Sequence, residues 1–404
     1  MGLENNIPEG WVDTTLVENI SVIAMGPFGS NLKRDMFTEE GVPIIKGTNL
    51  SGLYVDGAFT YVSDDKATSL RKAVAYPNDI IITHRGTIGQ VSLVPQNKYD
   101  RYVTSQSQLR FSCDPKKLDY KYILYFLKSR IGQYELLKSS SQVGVPAIAT
   151  PTKSIKEIEL LLPPLPEQKA IAKVLTAFDD KIELLQAQNK TLETMAQTIF
   201  KEWFGKYQIG DELPEGWRFG KLGDVMDIFD SKRVPLSKAQ REAMSGDYRY
   251  YGATKVMDYV NDYLFDGIYL LFAEDGSVMD EDGYPFLQYV WGKFWVNNHT
   301  HILKGKNGFS TELLYILCKK RKVSGIVTGA VQLKINQGNL LSKEIVIPND
   351  FILEKVDNII QPLFNKLRIN SSQIQSLTKT RDTLLPKLMS GQVRVNNIKQ
   401  TVDA

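Results

Sequence analysis

The stretch Ile7-Pro8-Glu9-Gly10-Trp11 decides the architecture, because it is written again as Leu213-Pro214-Glu215-Gly216-Trp217 with one conservative change. A leucine follows each copy at the same distance, Leu16 after the first and Leu222 after the second. Internal repeats are the first pattern to look for, because a missed repeat leads to the wrong architecture. The two copies predict a chain built from two related halves.

Two further echoes follow in the same order. Ile123-Leu124-Tyr125-Phe126-Leu127 returns as Leu313-Leu314-Tyr315-Ile316-Leu317, and the segment from Gly144 to Pro163 is as long as the one from Gly329 to Pro348. Because the echoes are colinear, a tandem duplication explains them. Each half is interpreted as a globular head that leads into a helix, and the duplication implies pseudo-two-fold symmetry between the halves.

A heptad pattern follows the first head, between Pro166 and Phe204. Apolar residues alternate at spacings of four and three over about four heptads, which is the coiled-coil period. Pro166 suits the first turn of a helix, where a backbone N–H has no partner in any case. The predicted seam residues of this first long helix are Ile171, Leu175, Phe178, Ile182, Leu185, Asn189 and Leu192.

A second heptad pattern occupies residues 350–390. Gly391 suits a C-terminal cap, whereas Pro362 removes one backbone donor and is expected to kink the helix. At 1.5 Å per residue, each long helix spans roughly 60 Å. The predicted seam residues of this second long helix are Leu363, Leu367, Asn370, Ile374 and Leu377.

Helices of this length cannot bury their stripes within heads of this size, so the simplest arrangement packs the two helices against each other. Two-fold symmetry makes that pair antiparallel, and dimerisation of two chains through the same stripes is the alternative. Asn189 and Asn370 either pin the register, as polar residues at core positions do, or face solvent where the helices diverge.

The heads mix short β-like runs with turns, and each ends in an apolar helical stretch, around residues 119–129 and 310–320. The predicted fold class is α+β, with two globular domains in tandem duplication, joined and spaced by two long helices that form an antiparallel coiled coil. The expected domains are a first head at 1–165, a first long helix at 166–204, a second head at 205–349, a second long helix at 350–390 and a C-terminal tail at 391–404.

The composition is that of a globular protein, with 43% hydrophobic and 24% charged residues. Acidic residues are scattered through the first twenty positions and no apolar run approaches membrane-spanning length, so the chain is expected to be cytoplasmic. Cys113 and Cys318 lie far apart without neighbouring histidines, which argues against a disulfide framework or a zinc site, and both are expected to be buried. A net charge of +3 means that any DNA-binding face must be local.

Polar and basic residues on turn-rich loops are the candidate DNA contacts, because such side chains contact base edges and phosphates. In the first head these are Lys33, Arg34, Lys46, Asn49, Arg85, Thr87 and Gln106. In the second head they are Lys232, Arg233, Tyr250, Lys255, Asn297, His299, Lys320 and Arg321. For any single one of them, an ordinary solvated side chain is the alternative.

The sequence carries no motif that would make the chain an enzyme. It lacks an Asn-Pro-Pro-Tyr or Asp-Pro-Pro-Tyr tetrapeptide for base methylation and a Gly-x4-Gly-Lys-Ser/Thr phosphate loop. His299 and His301 have no carboxylate at metal-site spacing, so no metal is expected. We therefore predict no catalytic residues.

Several stretches resemble the specificity subunits of type I restriction-modification enzymes. The most specific is Leu162-Pro163-Pro164-Leu165-Pro166-Glu167-Gln168, which leads into Ile171 and Phe178-Asp179. With it go the Pro-Glu-Gly-Trp start of each half, Gly26-Pro27-Phe28-Gly29-Ser30, Arg85-Gly86-Thr87-Ile88-Gly89 and Tyr250-Tyr251-Gly252-Ala253. The second half departs from the family pattern with Ile347-Pro348-Asn349-Asp350, which lacks the Glu-Gln pair, so the two helix starts are expected to differ.

The resemblance implies a non-catalytic subunit in which each head reads one half of a split, asymmetric double-stranded DNA target. It implies that the helices set the spacer and dock two methyltransferase subunits, and that the full complex adds two ATP-driven restriction and translocase subunits. S-adenosylmethionine, ATP and Mg would bind to those partners, and this chain would bind no cofactor.

Two other hypotheses stay open at this point. A two-headed protein scaffold without DNA recognition would leave DNA methylation unchanged when Arg85 or Lys255 is substituted. An enzyme with an unrecognised site would show turnover as a purified single chain.

Overall fold

The computed structural model describes residues 7–141, 143–329 and 332–395. The chain divides into two compact units, Met1–Ile182 with Gln375–Ala404, and Glu183–Ile374. The division cuts each long helix, so that each unit holds one head and part of both helices. The head boundaries expected after residues 165 and 349 stay a prediction, as does the pseudo-two-fold relation between the halves.

The first head, in the first unit, combines two larger sheets and two two-stranded sheets with short helices. Its strands are β1 (Val12–Thr15), β2 (Ile20–Met25), β3 (Phe37–Thr38), β4 (Val42–Ile45), β5 (Thr60–Val62), β6 (Val74–Ala75), β7 (Ile80–Thr83), β8 (Val91–Leu93), β9 (Tyr102–Thr104), β10 (Gln108–Cys113), β11 (Ser140–Ser141), β12 (Ala147–Ile148) and β13 (Glu159–Leu162). Its helices are α1 (Asp64–Ser69), α2 (Tyr120–Lys128), α3 (Arg130–Leu137) and α4 (Pro151–Lys156). An antiparallel sheet has the order β2-β10-β7-β8, and a second sheet has the order β3-β5-β4-β9-β6 with β4 and β9 parallel. The pairs β1-β13 and β11-β12 form the two-stranded sheets.

Strand β7 shows why both faces of the antiparallel sheet are covered. Side chains alternate between the faces of a strand. Ile80 and Ile82 therefore join the cluster that contains α2, whereas Ile81 joins a separate cluster with Ile45 and Tyr102. Every residue of the strand is buried, and its continuous apolar run follows from that.

The second head, in the second unit, is built on one larger sheet. Its strands are β14 (Arg218–Lys221), β15 (Met226–Ile228), β16 (Ser245–Tyr251), β17 (Val256–Val260), β18 (Phe265–Ala273), β19 (Leu287–Val296), β20 (Thr300–Gly305) and β21 (Glu344–Ile347). Its short helices follow the first long helix, α5 (Leu165–Phe204), along the chain. They are α6 (Leu222–Val225), α7 (Lys238–Ala243), α8 (Thr311–Lys319) and α9 (Gln337–Ser342). The sheet order is β15-β20-β18-β19-β16-β17, with β16 and β19 parallel. The two heads therefore differ in their sheets, although both are α+β.

The repeated Pro-Glu-Gly-Trp motif precedes the same strand pairing in both units. The strand that follows it pairs antiparallel with the strand that precedes a long helix, Val12 with Leu162 in the first unit and Arg218 with Ile347 in the second. The second echo is also structural. It forms α2 and α8. The Tyr125 hydroxyl on α2 donates a hydrogen bond to Asp179 of the first long helix, and the Tyr315 hydroxyl on α8 donates one to Glu193 of the same helix. The duplication read from the sequence is confirmed.

The long helices are α5 (Leu165–Phe204) and α10 (Asp350–Met389). In the first unit, Asp179 on α5 pairs with Arg381 on α10, and Glu167 pairs with Arg394 just beyond the end of α10, with an N–O distance of 2.6 Å. Higher numbers on one helix meet lower numbers on the other, so the helices are antiparallel here, as predicted. The start of α5 is also buried in the core of the first head, so the expectation that the heads would not bury these stripes was wrong in part.

The second unit shows the same antiparallel pairing. Asn370 Nδ2 donates to Asn189 Oδ1 at 3.0 Å, and Lys355 lies over the ring of Trp203, 5.1 Å from its centroid. Asn189 Nδ2 in turn donates to Ser371 Oγ at 3.1 Å. Asn370 has no solvent exposure, so the asparagines bond to each other inside the seam and do not face solvent.

The predicted seam residues are all at least partly covered. Those that are buried are Ile171, Leu175, Ile182, Leu185 and Asn370, and those that are partly buried are Phe178, Asn189, Leu192, Leu363, Leu367, Ile374 and Leu377. Helix α10 continues through Pro362 without a break. A kink at this position stays a prediction. Gly391 has φ +71 and its N–H donates to the Leu388 carbonyl, which is the expected left-handed cap.

Two smaller expectations have mixed outcomes. Cys318 is buried as expected, whereas Cys113 is only partly covered at the end of β10. Among the described residues, no helix combines the length and the apolar character needed to cross a bilayer. Residues 396–404 of the expected C-terminal tail lie outside the described residues.

Candidate nucleic-acid interface

Four loops of the first head meet at the ends of its strands. They comprise residues 26–34, 46–49, 84–89 and 105–107 and are called here the first loop cluster. The loops after β2 and β7 lie at the same edge of the antiparallel sheet as the loop before β10, because neighbouring strands alternate in direction. Strands β4 and β9 run parallel and end side by side, so the loops that follow them also lie next to each other.

A chain of buried and partly buried polar side chains connects three of these loops. Ser105 Oγ donates to Gln108 Oε1, and Gln108 Nε2 donates to Thr83 Oγ1 at 3.3 Å. Thr83 Oγ1 donates to Gln90 Oε1 at 3.0 Å, and Gln90 Nε2 donates to the Gly47 carbonyl at 3.1 Å. Because a buried polar network is costly unless each member is bonded, this chain holds the loops in one arrangement.

Gly26 and His84 fix the remaining loops of the cluster. A Cβ on Gly26 would lie 1.9 Å from the Ser105 carbonyl oxygen, so only glycine allows the loop at 26–30 to lie against the loop at 105–107. His84 Nε2 lies 3.1 Å from the Gln106 carbonyl and must donate to it. Burial lowers the pKa of His84, which keeps the ring neutral and the donor on Nε2.

Most predicted contacts of the first head project from this cluster into solvent. The exposed ones are Lys33, Arg34, Arg85, Thr87 and Gln106. Lys46 is partly buried, with its Nζ 2.6 Å from Thr60 Oγ1 and 5.3 Å from the centroid of the Phe37 ring. Six of the seven predicted residues of this head thus reach the surface of the first loop cluster, five of them exposed and Lys46 partly buried.

Asn49 is the exception in the first head, because it is buried at 2% exposure. Its Oδ1 accepts from the Lys46 N–H at 2.9 Å, and its Nδ2 donates to the carbonyls of Asp56 and Ala58. All of its hydrogen-bonding groups serve the backbone, so Asn49 shapes the loop and offers DNA no free edge. Its predicted role as a DNA contact is corrected accordingly.

A residue that the sequence reasoning did not select stands beside these side chains. Phe28 is 79% exposed at the tip of the loop between Gly26 and Gly29. A Cβ on Gly29 would lie 2.7 Å from Gln106 Oε1, but that atom ends a flexible, exposed side chain that can move aside, so Gly29 is less constrained than Gly26. A phenylalanine between two glycines was the available signal, but its exposure depends on how the loop packs.

A buried ion network supports the equivalent loops of the second head. His301, with no solvent exposure, lies with Nδ1 2.6 Å from Asp230 Oδ2 and with Nε2 2.8 Å from the Ile335 carbonyl. Both ring nitrogens face acceptors, so both act as donors. Although burial alone would raise it, the hydrogen bond and charge of His301 hold the pKa of Asp230 below its usual range.

Arg233 completes this network. Its Nη1 lies 2.6 Å from Glu274 Oε2 and donates to the Thr300 carbonyl at 2.9 Å. Burial opposes the charge of Glu274, but the hydrogen bond from Arg233 and the charge of His301 lower the pKa of that carboxyl. The predicted role of Arg233 as a DNA contact is corrected, because its guanidinium holds loops together and is mostly covered.

The donor atoms of Asp230, Glu274 and His301 all lie within 4.8 Å of one another, close enough to surround a metal ion. The observed bonds oppose that use, however, because the His301 Nδ1–H donates a hydrogen bond to Asp230 and Arg233 forms an ion pair with Glu274. We interpret the triad as an ion-pair network. The sequence did not indicate it, since 71 residues separate Asp230 from His301.

Two more predicted contacts of the second head lie in the interior. Tyr250 is 1% exposed, and its hydroxyl accepts from the Leu236 N–H at 3.0 Å. Asn297 is 6% exposed, and its Oδ1 accepts from the His299 N–H at 3.0 Å. Both side chains position backbone and present no edge to DNA, which corrects the two predictions.

The other predicted residues of the second head fall in two places. Lys232, Lys255 and His299 are exposed, and His299 Nδ1 lies 2.5 Å from Asp275 Oδ1. Lys320 and Arg321 line a groove at the end of α5. The structure therefore does not gather the predicted residues of this head into one surface.

A family model described as the type I restriction modification DNA specificity domain matches residues 22–194 and again residues 214–379. The chain belongs to the family of type I restriction-modification specificity subunits. The two matches contain most of the two heads and most of both long helices, so the specificity subunit carries the domain twice.

Individual relatives agree with the family. The specificity subunit is 27% identical over 436 residues to the type I restriction enzyme MjaIX specificity subunit of Methanocaldococcus jannaschii, covering 97% of this chain and 95% of that protein. It is 24% identical over 372 residues to the putative type I specificity subunit S.MgeORF438P of Mycoplasma genitalium, covering 85% and 90%. Its fold is similar to the crystal structure of a type I restriction-modification S subunit from M. genitalium, with a TM-score of 0.58, 20% identity and coverage of 96% and 98%.

Proposed function

We propose that this specificity subunit reads a split, asymmetric double-stranded DNA target, with one half-site for each head. The observation that carries the proposal is that the specificity domain occurs twice, on heads whose sheets differ. Different heads present different side chains to DNA, so the two half-sites should differ in sequence. The antiparallel helix pairing found in each unit supports a spacer of fixed length between them.

The partners and cofactors follow from the same assignment. The chain acts as a non-catalytic subunit in the cytoplasm, with two methyltransferase subunits docked on its long helices and two restriction and translocase subunits in the full complex. S-adenosylmethionine, ATP and Mg bind to those partners. The chain contributes recognition through its loops, because base contacts specify a sequence while phosphate contacts position the protein.

The first loop cluster is the proposed reading surface of the first head. Its exposed side chains include Lys33 and Arg34 of one loop and Arg85 and Gln106 of neighbouring loops. Arg and Lys suit phosphates and guanine, and Gln suits adenine. The buried polar chain beneath them holds the loops in one arrangement before DNA arrives, which reduces the entropy lost on binding.

Mapping of adenine methylation tests the proposal. A methylation-free host would express the chain with its cognate methyltransferase subunit, beside a control without the chain. We expect a split, asymmetric motif only when the chain is present. A soluble, chain-bound methyltransferase that leaves the genome unmethylated would overturn the proposal in favour of a protein scaffold.

Substitutions separate recognition from assembly in the same host. Arg85→Ala should reduce methylation at one half-site while the complex still assembles. Lys116→Ala is the matched control, because Lys116 is exposed beyond the end of β10 that points away from the first loop cluster. Equal methylation by both variants would show that Arg85 does not take part in recognition.

A further inference from the structure

A groove in the second unit lies at the C-terminal end of α5, with a volume of about 1040 Å³. Its lining comes from the last turns of α5, the segment after it, the end of α8 and the start of β21. It is called here the basic groove, after its five cations Lys201, Lys221, Lys320, Arg321 and Lys343. Glu344 is the one carboxylate in its lining.

The cations of the basic groove lack acidic partners within the described part of the chain. None of the five lies within 4.0 Å of a carboxylate oxygen there, whereas Lys319, immediately before Lys320, pairs with Glu193. The chain as a whole has a net charge of only +3. Five cations against one carboxylate are therefore a local excess, which attracts an anionic ligand.

Arg321 is the cation of the groove for which an anionic ligand would be most favourable. Its side chain is partly buried in the groove, and burial lowers the pKa of its guanidinium. A partly covered guanidinium without an ion-pair partner gains from an added acceptor, because it has lost part of its contact with water. A carboxylate bound in the groove would supply that acceptor with bidentate geometry.

Aromatic residues also line the groove, and two of them, Phe200 and Phe204, belong to the core of the second unit. Phe200 and Phe204 pack edge to face with ring centroids 4.7 Å apart, and Trp217 lies against Phe204 at 6.2 Å. Tyr207 is held in turn by Trp217, with centroids 5.1 Å apart. The lining rings Phe200, Phe204 and Tyr207 offer an apolar side chain a contact in the same groove as the cations.

The shape favours a peptide over duplex DNA. A DNA duplex is a convex rod that meets cations on a protruding or open surface, whereas a cavity of this size accommodates individual side chains. Peptides that carry acidic residues and an apolar anchor match cations beside aromatic rings. Duplex DNA would leave the aromatic side of the groove without a partner.

We propose that the basic groove binds an acidic segment of a partner subunit, with carboxylates on Lys320 and Arg321 and an apolar anchor against Phe200 and Phe204. This inference rests on the proposed function, since it requires partner subunits. It adds a protein-binding role to Lys320 and Arg321, which the sequence had assigned to DNA.

Charge reversal tests the inference in the assembled complex. The double variant K320E/R321E and the single variant K201E should each weaken assembly with purified partner subunits at least tenfold near 0.15 M salt. The matched control K116E/K153E makes the same change of charge as the double variant on exposed lysines of the first head. Because Lys201 is exposed on the surface of α5, K201E keeps the test valid if the double variant fails to fold.

Crosslinking identifies what occupies the groove. A photoreactive benzoylphenylalanine placed at the exposed lining residue Gln208 should crosslink, in the complete complex on DNA, to a partner segment rich in Asp and Glu with an apolar side chain. Crosslinks to DNA, or to a basic segment, would overturn the inference. So would K320E/R321E and K201E variants that are folded and assemble as the wild type does.

The outcome is distinguishable from failure of the proposed function. If wild-type chain supports methylation of a split motif but the variants assemble normally, only the basic groove inference falls. If the wild-type chain supports no methylation with a bound methyltransferase, the proposed function itself falls.

Discussion

Replacing Asp230 by alanine should lower the free energy of unfolding of the second unit by about 3–5 kcal/mol, the usual cost of removing one partner from a buried ion pair. The Asp230 carboxylate accepts from His301 Nδ1, from the Ile302 N–H at 2.9 Å and from Gln337 Nε2 at 2.7 Å. Alanine leaves His301 Nδ1 and the Ile302 N–H without this acceptor in the interior, whereas Gln337 is exposed and can bond to water. Hydrogen bonds to a charged group contribute about 1.5–3 kcal/mol each, which supports a loss of this size.

Urea unfolding followed by tryptophan fluorescence is the assay, because Trp203, Trp217, Trp291 and Trp295 all belong to the second unit and only Trp11 belongs to the first. The control is Asp227→Ala. Asp227 is exposed and pairs with Lys306 at 3.0 Å, and surface pairs of this kind contribute about 0–1 kcal/mol.

The pH dependence provides a second measurement of the same network. The pKa of Asp230 is lowered in the folded chain, so its stabilising effect is complete above the ordinary value of 3.8 and is lost as the pH falls through the lower folded value. The difference between wild type and Asp230→Ala should therefore shrink below about pH 4. A loss at neutral pH no greater than that of Asp227→Ala would refute the reasoning.

Three other perturbations test the loops and the seam. Gly26→Ala places a Cβ 1.9 Å from the Ser105 carbonyl oxygen, so it should destabilise the first unit by about 1–3 kcal/mol and abolish half-site recognition; a normal melting temperature and normal methylation would contradict this. The double variant N189L/N370L replaces a buried polar pair, so it should raise the urea midpoint, and a lower midpoint would show that the pair stabilises the seam. Lys33→Ala should reduce the slope of log affinity for DNA against log salt by about one, measured by fluorescence anisotropy of the assembled complex, whereas an unchanged slope would remove Lys33 from the phosphate contacts.

The antiparallel helix pair was predictable because its signal is local and periodic. The heptad spacing of α5 and α10 can be read within each segment, and the duplicated Pro-Glu-Gly-Trp motif implied the antiparallel direction. The sequence did not predict whether the seam asparagines face solvent or each other. The hydrogen bond between Asn370 and Asn189 shows that they bond to each other inside the seam.

The loop residues show where prediction from residue type stops. Arg85 and Asn49 are both polar residues on loops, yet Arg85 is exposed and Asn49 is engaged by the backbone of residues 46–58. Arg233 has the charge of a DNA contact but forms an ion pair with Glu274 from a distant strand end. Residue type indicates which side chains are able to bind DNA, and packing decides which of them are free to do so.

The sequence by itself determined the duplication, the α+β class, the two long helices and the family, because repeats, periodicity and motifs are properties of neighbouring residues along the chain. Only the tertiary structure decided which side chains form the first loop cluster, that Asp230 and His301 form a buried ion network, and that five cations line one groove. These features depend on contacts between residues far apart in the chain. A local sequence pattern does not predict such contacts, because the fold determines which residues that are distant in the chain become neighbours.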